Sequence, residues 1–420
     1  MQVGDSLLNV LGRSKKGDDT IFSWFARCQE AANQGHEVVN ATVGVLLEDD
    51  GSLGINRVFE ECVRSAPAHE ICAYAPLRGT DDFRDLVKTL ALGQDRETLD
   101  QTLSIGAIAS PGGSGALHLA AANFANPGEK VLLRSRHWGP YKGFLREQNL
   151  EFTTWRLLNE DSEADIDSFE EALVSLSSTQ KSVMTWLNDP AHNPTGLSLS
   201  ESERTDVFDI FSASATKNPD VGHTLLIDAA YALYADEPHG WAQTIREAID
   251  QSIPWPENMQ ILFAVSLSKS HSAYGMRTGA LVVLHPEKSI VERMETVLLS
   301  TGRGKWSATN RLTQWATVEV HSDPKKGEEW SKERDRLKSL LDERRRIMNE
   351  CAKELNIPLN PTNDGFFAWI ESDNPEELAE ACAKEHVYIV PLQGGVRIGL
   401  CALPKEQIPR LVNTIKSVLE

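Results

Sequence analysis

The stretch SLSKSHSAYGMRTG, residues 266–279, follows the apolar run ILFAV and holds a lysine, several hydroxyls and an arginine. A lysine at the end of a buried strand loses hydration, which favours its neutral, nucleophilic amine and therefore Schiff-base chemistry with a carbonyl. Lys269 stands at this point. Ser266, Ser268 and Arg277 offer the hydroxyls and the guanidinium that a phosphate requires. The alternative interpretation is a solvated lysine–arginine pair on a surface loop.

A second stretch, ASPGGSGALHLAA at residues 109–121, has the form of a phosphate cradle: a strand, a glycine-rich turn and the start of a helix. Glycines let backbone N–H groups approach an anion, and the helix N-terminus adds its dipole. Gly113 and Ser114 lie in this turn. The stretch matches neither GxGxxG nor a Walker sequence, so a purely structural tight turn is the alternative.

Two further stretches follow apolar runs, at the strand ends where open α/β sheets bind ligands. In NDPAHNPTG, the amide of Asn193 can donate to a ligand oxygen, although an Asn-Pro pair is also a common turn. In TLLIDAAYALYA, Asp228 ends a buried strand and needs a cation or a strong donor, unless it caps a helix. Tyr231 follows three residues later, close enough to face the same cavity.

The four stretches together indicate one ligand. They supply a lysine for an aldehyde, a carboxylate for a ring cation, an Asn and a Tyr for a ring oxygen, and two groups of phosphate donors. Pyridoxal 5′-phosphate requires this set. A dinucleotide site is disfavoured, because GxGxxG is missing and Lys269 and Asp228 would have no role.

The elements that position these residues alternate between apolar runs of strand length and amphipathic helical stretches over about residues 100–285. This alternation predicts a mostly parallel sheet with helices on both faces. The predicted strands are LSIGAIA, KVLLRS, FTTWRL, SVMTWL, TLLID, ILFAVS and ALVVL. After Trp306, a long charged helix, three short strands and a last helix predict a smaller α/β domain.

Composition limits the function classes. The net charge of −19 would repel nucleic acid and anionic lipid. The sequence has no run of about 18 uncharged apolar residues, so no membrane helix is predicted. No secretion signal is recognised either, so a cytoplasmic protein is expected. The six cysteines show no metal or disulfide spacing and are predicted to be buried thiols. The basic run KERDRLKSLLDERRRIMNE predicts a solvated helix face with ion pairs.

The motifs resemble class I aminotransferases of pyridoxal-phosphate fold type I, and most closely their aspartate and aromatic branch. The similarity runs over nearly the whole chain, through ICAYAPLRGTDDFRDLV, GGSGAL, RHWGPY, HNPTG, DAAY, SLSKSHSAYGMRTG, GRGKWS and GGVRIGLCAL. It implies a large domain, residues 53–325, with a mostly parallel seven-stranded sheet sandwiched by helices. A small α/β domain comprises residues 18–52 and 326–420, and residues 1–17 form an N-terminal arm.

The resemblance also implies roles for individual residues. Lys269 matches the lysine that binds the cofactor and then moves the substrate's α-proton, while Asp228 matches the partner of the pyridine nitrogen. Tyr231 and Asn193 match the residues that bond the ring 3′-oxygen, and Trp138 matches the aromatic residue stacked on the ring. The residues implied for the phosphate are Gly113, Ser114, Ser266, Arg277 and, from the neighbouring subunit of a homodimer, Tyr74.

Substrate recognition is implied to rest on two arginines. Arg397 matches the arginine that grips the α-carboxylate, with Gly44 closing over it, and Trp138 and Asn193 also face the substrate. Arg303 falls where members specific for dicarboxylates place the arginine for the distal carboxylate, contributed across the dimer. The expected reaction is ping-pong exchange of an amino group between aspartate, glutamate or an aromatic amino acid and a 2-oxo acid.

Other activities remain open on the same fold. A β-lyase, a decarboxylase or a racemase differs mainly in which substrate bond stands perpendicular to the cofactor ring. A regulator that senses pyridoxal phosphate is a further alternative, although it normally needs a DNA-binding module and the chain is acidic.

Overall fold

A computed structural model describes residues 7–15, 17 and 19–420, so the predicted N-terminal arm, residues 1–17, lies partly outside the described residues. The strands within these residues are β1 (Val39–Asn40), β2 (Ser104–Ser110), β3 (Lys130–Arg134), β4 (Glu151–Trp155), β5 (Ser182–Asn188), β6 (Gly222–Asp228), β7 (Met259–Ser266), β8 (Gly279–His285), β9 (Phe367–Glu371), β10 (Val387–Tyr388), β11 (Val390–Leu392) and β12 (Gly395–Gly399).

The helices lie between these strands and at both ends of the described chain. They are α1 (Val10–Ser14), α2 (Thr20–Asn33), α3 (Arg57–Arg64), α4 (Ala68–Cys72), α5 (Asp81–Leu92), α6 (Arg96–Leu99), α7 (Gly112–Asn123), α8 (Tyr141–Glu147), α9 (Ile166–Ser177), α10 (Glu201–Lys217), α11 (Gly240–Asp250), α12 (Leu267–Ser270), α13 (Lys288–Lys305), α14 (Arg311–Ser322), α15 (Pro324–Glu354), α16 (Pro375–Lys384) and α17 (Ile408–Leu419).

The central sheet has the strand order β2-β8-β7-β6-β5-β3-β4. β8 runs antiparallel to both of its neighbours, and the other pairs are parallel. Separate hydrophobic clusters pack on the two faces, so a strand such as β7 is buried along its whole length. Burial on both faces explains the continuous apolar runs of the sequence. All seven predicted strands are present, and the predicted fold class is confirmed.

A second, smaller group of strands forms the rest of the structure. β11, β12 and β9 make an antiparallel sheet, and β1 pairs in parallel with β10. A core cluster of its own joins these strands to α2, α15, α16 and α17. The pairing of β1 with β10 brings the start of the chain onto the C-terminal unit, as the two-part small domain requires. The domain boundaries themselves stay a prediction.

The basic run in α15 differs from its prediction as a solvated face. Arg344 and Arg345 are buried. Arg344 donates to the carbonyls of Leu400, Cys401 and Leu47, and Arg345 donates to Thr362 and the carbonyl of Phe367. Backbone carbonyls outside helices and strands need hydrogen-bond donors when they are buried. The guanidinium groups of Arg344 and Arg345 supply these donors. Sequence periodicity does not contain these loop contacts.

The cysteine prediction holds for four of the six thiols. All six are free; Cys28, Cys62, Cys382 and Cys401 are buried, and Cys351 is half-buried. Cys72 is exposed, because it ends the short helix α4, which contributes no buried residue. Within the described residues, no helix is both long and apolar enough to cross a membrane, and no group of three or more potential metal ligands occurs.

Candidate active site

Side chains from the carboxyl ends of four parallel strands meet around a cavity of about 120 Å³. Parallel strands expose their carboxyl ends on one edge, where loops and helix N-termini converge. A larger open cleft of about 1100 Å³ contains none of the predicted site residues. The smaller cavity is lined by Gly113, Ser114, Leu117, Trp138, Asn188, Asn193, Asp228, Ala230, Tyr231, Ser266, Ser268, Lys269 and Arg277.

Lys269 lies in α12, the single turn that follows β7. Ser266 ends the strand and caps this turn, since its hydroxyl accepts from the N–H of Ser268. The Lys269 amine is 5.3 Å from the ring centroid of Tyr231 and 5.5 Å from that of Tyr274. Burial, and then the positive charge of Arg277, lower the pKa of this amine to about 8. The neutral, nucleophilic form is therefore far more populated near neutral pH than in an ordinary lysine.

Asp228 is the last residue of β6 and is buried. One carboxylate oxygen accepts from the hydroxyl of Tyr141 at 2.6 Å, and the other accepts from the N–H of Ala230 at 3.2 Å. Burial raises the pKa of Asp228, while the Tyr141 hydroxyl, the Ala230 N–H and the charge of Lys269 oppose this rise. A cation placed beside this carboxylate would complete the ion pair that burial demands.

The glycine-rich turn before α7 is shaped by Arg277. Gly112 has a φ of +72°, and a Cβ added there would lie 2.9 Å from Nη2 of Arg277. The guanidinium donates to the Ser268 hydroxyl and to the Tyr274 carbonyl, both at 3.0 Å. Pro111 precedes the helix and offers no capping acceptor, so the first N–H groups of α7 are available to a ligand. This combination fits a phosphate.

Asn193 and Tyr231 also line the cavity and are bonded to each other. The Asn193 amide donates to the Tyr231 hydroxyl at 3.2 Å, and its backbone N–H donates to the side-chain oxygen of Asn188 at 2.6 Å. The side-chain oxygen of Asn193 is buried and makes no hydrogen bond in the described structure. An unpaired buried acceptor costs free energy until a ligand donor or water reaches it.

Arg397 comes from the smaller sheet, on β12. Its Nη2 donates to the carbonyl of Thr42 at 2.6 Å, and its guanidinium carbon lies 4.5 Å from the ring centroid of Phe367. The buried Nε has no hydrogen-bond partner among the described residues. Gly44 lies against the same ring, since a Cβ there would be 3.1 Å from Phe367 Cζ. Arg397 is thus a buried cation with donor capacity left for an anion.

Tyr74 and Arg303 lie outside the cavity of their own chain. Tyr74 is 90 % exposed in the segment after α4. Arg303, in the last turn of α13, is also exposed, and its guanidinium donates to the Ser307 hydroxyl. Neither residue lines the cavity that joins Lys269 to Asp228. The resemblance assigned both of them to a partner's site.

Three residues of the site were missed at the sequence level: Tyr141, Tyr274 and Phe367. Tyr141 follows Trp138 by three residues, and its ring packs edge-on against Trp138 and Trp186. This i, i+3 spacing at the start of α8 was a usable signal. Phe367 supports Arg397 only because β9 pairs with β12, and no local pattern marks that contact.

Replacing Tyr141 with phenylalanine should raise the pKa of Asp228 further and weaken its hold on any cation. Loss of one hydrogen bond to a charged group is expected to lower cofactor affinity and kcat/KM by about 10- to 100-fold. Equilibrium titration of the cofactor by absorbance would measure the change. Tyr388→Phe, which changes a buried tyrosine on β10, is the control and should leave affinity unchanged. Equal affinities for both variants would contradict the role of the Tyr141 hydroxyl.

Comparison with known proteins identifies the family. The family model for aminotransferase class I and II matches residues 36–415, and the chain belongs to this family. It is 25 % identical to an aromatic-amino-acid aminotransferase of Paracoccus denitrificans, over 97 % of this chain and 100 % of that protein. It is 23 % identical to a mitochondrial aspartate aminotransferase of Arabidopsis thaliana, over 92 % and 87 % of the two chains.

A solved structure supports the same conclusion. An aminotransferase of Anaerococcus prevotii superimposes with a TM-score of 0.92 at 27 % sequence identity, covering 98 % of both chains. The chain is therefore a pyridoxal-phosphate-dependent aminotransferase, as the sequence predicted. The cavity fits this cofactor, because it joins a low-pKa lysine to an anion cradle and a buried carboxylate.

Proposed function

We propose that this aminotransferase acts on aspartate and glutamate, with aromatic amino acids as further substrates, and that the predicted site residues carry the reaction. The observation that carries the proposal is the shared cavity of Lys269 and Asp228, with Arg397 close enough to influence the pKa of the Lys269 amine. The names of the relatives support both substrate classes.

When bound, pyridoxal phosphate supplies an aldehyde that condenses with amines and a ring that accepts electrons from the substrate α-carbon. Asp228 keeps the ring nitrogen protonated through its carboxylate, which Tyr141 and Ala230 hold in place. Trp138 lines one side of the cavity beside Tyr141. Asn193 and Tyr231, bonded to each other, present an amide and a hydroxyl to the ring oxygen.

Lys269 has two successive tasks in this proposal. Its neutral amine would hold the cofactor through the aldehyde, and a pKa of about 8 favours that amine. As a free amine, Lys269 would remove the substrate α-proton as a general base and return a proton as a general acid. Gly113, Ser114, Ser266 and Arg277 meanwhile hold the phosphate, which fixes the ring against rotation.

The substrate α-carboxylate is proposed to bind Arg397 and Asn193. Arg397 keeps unused donor capacity, because only its Nη2 donates to the Thr42 carbonyl. Its guanidinium packs against the Phe367 ring. Gly44 lies against the same phenylalanine ring, where a larger residue would crowd the approach. This fork sets the amino acid's orientation, so that its α-hydrogen faces Lys269.

We also propose a homodimer with shared sites, built on the segment that holds Tyr74. Ile71, Tyr74 and Leu77 are exposed apolar or aromatic residues within seven positions. Such a patch on a protein surface is typical of an interface. Arg311 braces the segment, since it donates to Glu70 and to the Tyr74 carbonyl. In the dimer, each subunit would bring its Tyr74 to the phosphate and its Arg303 to the substrate of the other subunit. We also propose a cytoplasmic location.

Arg303→Ala tests the dicarboxylate assignment. Loss of a charge-assisted contact to the distal carboxylate should raise KM for aspartate by about 10- to 100-fold and leave phenylalanine turnover unchanged. Steady-state kinetics with both amino acids measures this difference. Arg293→Ala, another exposed arginine of α13, is the matched control. If both substrates suffer equally, or if sedimentation shows a monomer that is active on aspartate, Arg303 does not read the distal carboxylate across a dimer.

A further inference from the structure

Tyr274 contacts three parts of the site at once, although no role has yet been given to it. It lies five residues after Lys269 and three before Arg277 in the loop that follows α12. Its ring is beside the Lys269 amine, its carbonyl accepts from the Arg277 guanidinium, and its hydroxyl accepts from the backbone N–H of Leu46. No other tyrosine in the described part of the chain combines these contacts.

The first contact concerns the amine itself. Lys269 Nζ lies between two phenol rings, 5.3 Å from the Tyr231 centroid and 5.5 Å from the Tyr274 centroid. A cation near an aromatic ring is attracted by the ring's quadrupole. Tyr231 is anchored by Asn193, whereas Tyr274 is anchored through its hydroxyl to another segment. The amine is therefore close to two anchored rings.

The second contact reaches the segment that follows β1. The Leu46 N–H donates to the Tyr274 hydroxyl at 3.1 Å, and the Leu46 carbonyl accepts from the N–H of Gly54 at 2.9 Å. Leu46 is buried in a small hydrophobic cluster with Phe367, and Tyr274 packs against that cluster. Two residues before Leu46, Gly44 lies on the Phe367 ring that supports Arg397.

The same segment also bonds to Arg397 directly. The Thr42 carbonyl accepts from Nη2 of this arginine at 2.6 Å. Residues 42–46 thus hold Arg397 at one end and the Tyr274 hydroxyl at the other. This strand-to-loop segment is the link between the carboxylate-binding arginine and the loop of the lysine.

We propose that Tyr274 is a positioning residue, whose hydroxyl fixes residues 42–46 over Arg397 and whose ring fixes the Lys269 amine, so that substrate carboxylate and proton-transferring amine are held at a set separation. The inference rests on the proposed roles of Lys269 and Arg397. The Arg397 guanidinium and the Lys269 amine must act on the same substrate molecule. An error in the distance between these two groups therefore lowers the reaction rate. Tyr274 reduces that error because it contacts both the Lys269 amine and residues 42–46, which bond to Arg397.

Tyr274→Phe tests the hydroxyl, with Tyr234→Phe as the matched control, since Tyr234 belongs to the same cluster and packs on Phe366. In the cofactor-free full chain, hydrogen exchange of the peptide containing Leu46 should accelerate about two- to tenfold in Tyr274→Phe alone. With the cofactor bound, kcat for the amino acid should fall by a similar factor in Tyr274→Phe and stay unchanged in Tyr234→Phe, because the amine and the substrate are then less well aligned.

Tyr274→Leu tests the ring. The pH dependence of Lys269 modification by an amine reagent, read by peptide mapping in the cofactor-free chain, should show its midpoint shifted down by about half a pH unit from that of Tyr274→Phe. The titratable and charged groups near the amine, Arg277, Cys401, Asp228 and Arg397, are unchanged in both variants. The shift is downward because the lost ring favoured the ammonium form.

Unchanged Leu46 exchange in Tyr274→Phe, or equal acceleration in Tyr234→Phe, would overturn the link to residues 42–46. An unshifted or upward-shifted midpoint in Tyr274→Leu would overturn the contact with the amine. Both readouts use protein without cofactor or substrate. Failure of the proposed substrate assignment would therefore leave them unaffected, and the two failures are distinguishable.

Discussion

Lys269→Ala is expected to lower the rate of amino-group transfer by at least about 10⁴-fold, because it removes the group that we propose binds the aldehyde and moves the α-proton. The amine has no substitute at this point of the cavity, since the guanidinium of Arg277, which also lines it, donates to the Ser268 hydroxyl and the Tyr274 carbonyl. Absorbance of the covalently bound cofactor and single-turnover production of 2-oxo acid would measure the loss.

Two comparison variants separate chemistry from folding. Lys269→Arg keeps the positive charge but cannot condense with an aldehyde, so it should be as inactive as Lys269→Ala. Lys288→Ala removes an exposed lysine of α13, whose nearest acid is Glu292 at 3.7 Å, and should be fully active. If Lys269→Ala retained more than about one per cent of the rate, another general base would have to act, and the assignment of Lys269 would be wrong.

Asp228→Asn is expected to have the second largest effect. The amide keeps the shape of the side chain but loses the negative charge that we propose pairs with the protonated ring nitrogen. Breaking a buried ion pair costs about 3–5 kcal/mol, which corresponds to roughly 10²- to 10⁴-fold in rate if the cost falls on the transition state. The reduction should appear in kcat, with a smaller loss of cofactor affinity.

Asp189→Asn is the contrasting variant, because Asp189 is also a buried carboxylate but has other partners. It accepts from the indole of Trp241 at 2.9 Å and lies 3.5 Å from Arg134. The amide leaves Arg134 without its counter-charge, so thermal stability should fall while kcat is retained in the folded protein. Equal effects of the two substitutions on kcat would show that Asp228 acts through the fold and not on the ring.

The sequence predicted those features that depend on residues close together in the chain. The seven strands of the large sheet are apolar runs closed by turn residues, and every one of them formed. Lys269, Asp228 and Asn193 were found because each follows such a run, so strand ends place them together. The order of the strands, with β8 antiparallel between β2 and β7, depends on non-local pairing and is not encoded in any local pattern.

The residues that sequence reasoning missed act across long chain separations. Tyr274 reaches Leu46 over 228 positions, and Tyr141 reaches Asp228 over 87. Arg344 and Arg345 were expected to be solvated, because helical periodicity cannot show that loops end beside them. A polar side chain whose partner is a distant backbone group leaves no periodic signal, so only the folded arrangement identifies it.

The central claim, amino-group transfer from an amino acid to the bound cofactor, is tested most directly by a half-reaction. The cofactor-loaded protein is mixed with aspartate in the absence of any 2-oxo acid, and products are quantified by mass spectrometry. We predict one equivalent of 2-oxo acid per active site and conversion of the cofactor to pyridoxamine 5′-phosphate. Release of carbon dioxide or ammonia with the cofactor unchanged would contradict the account and assign a decarboxylase or a lyase.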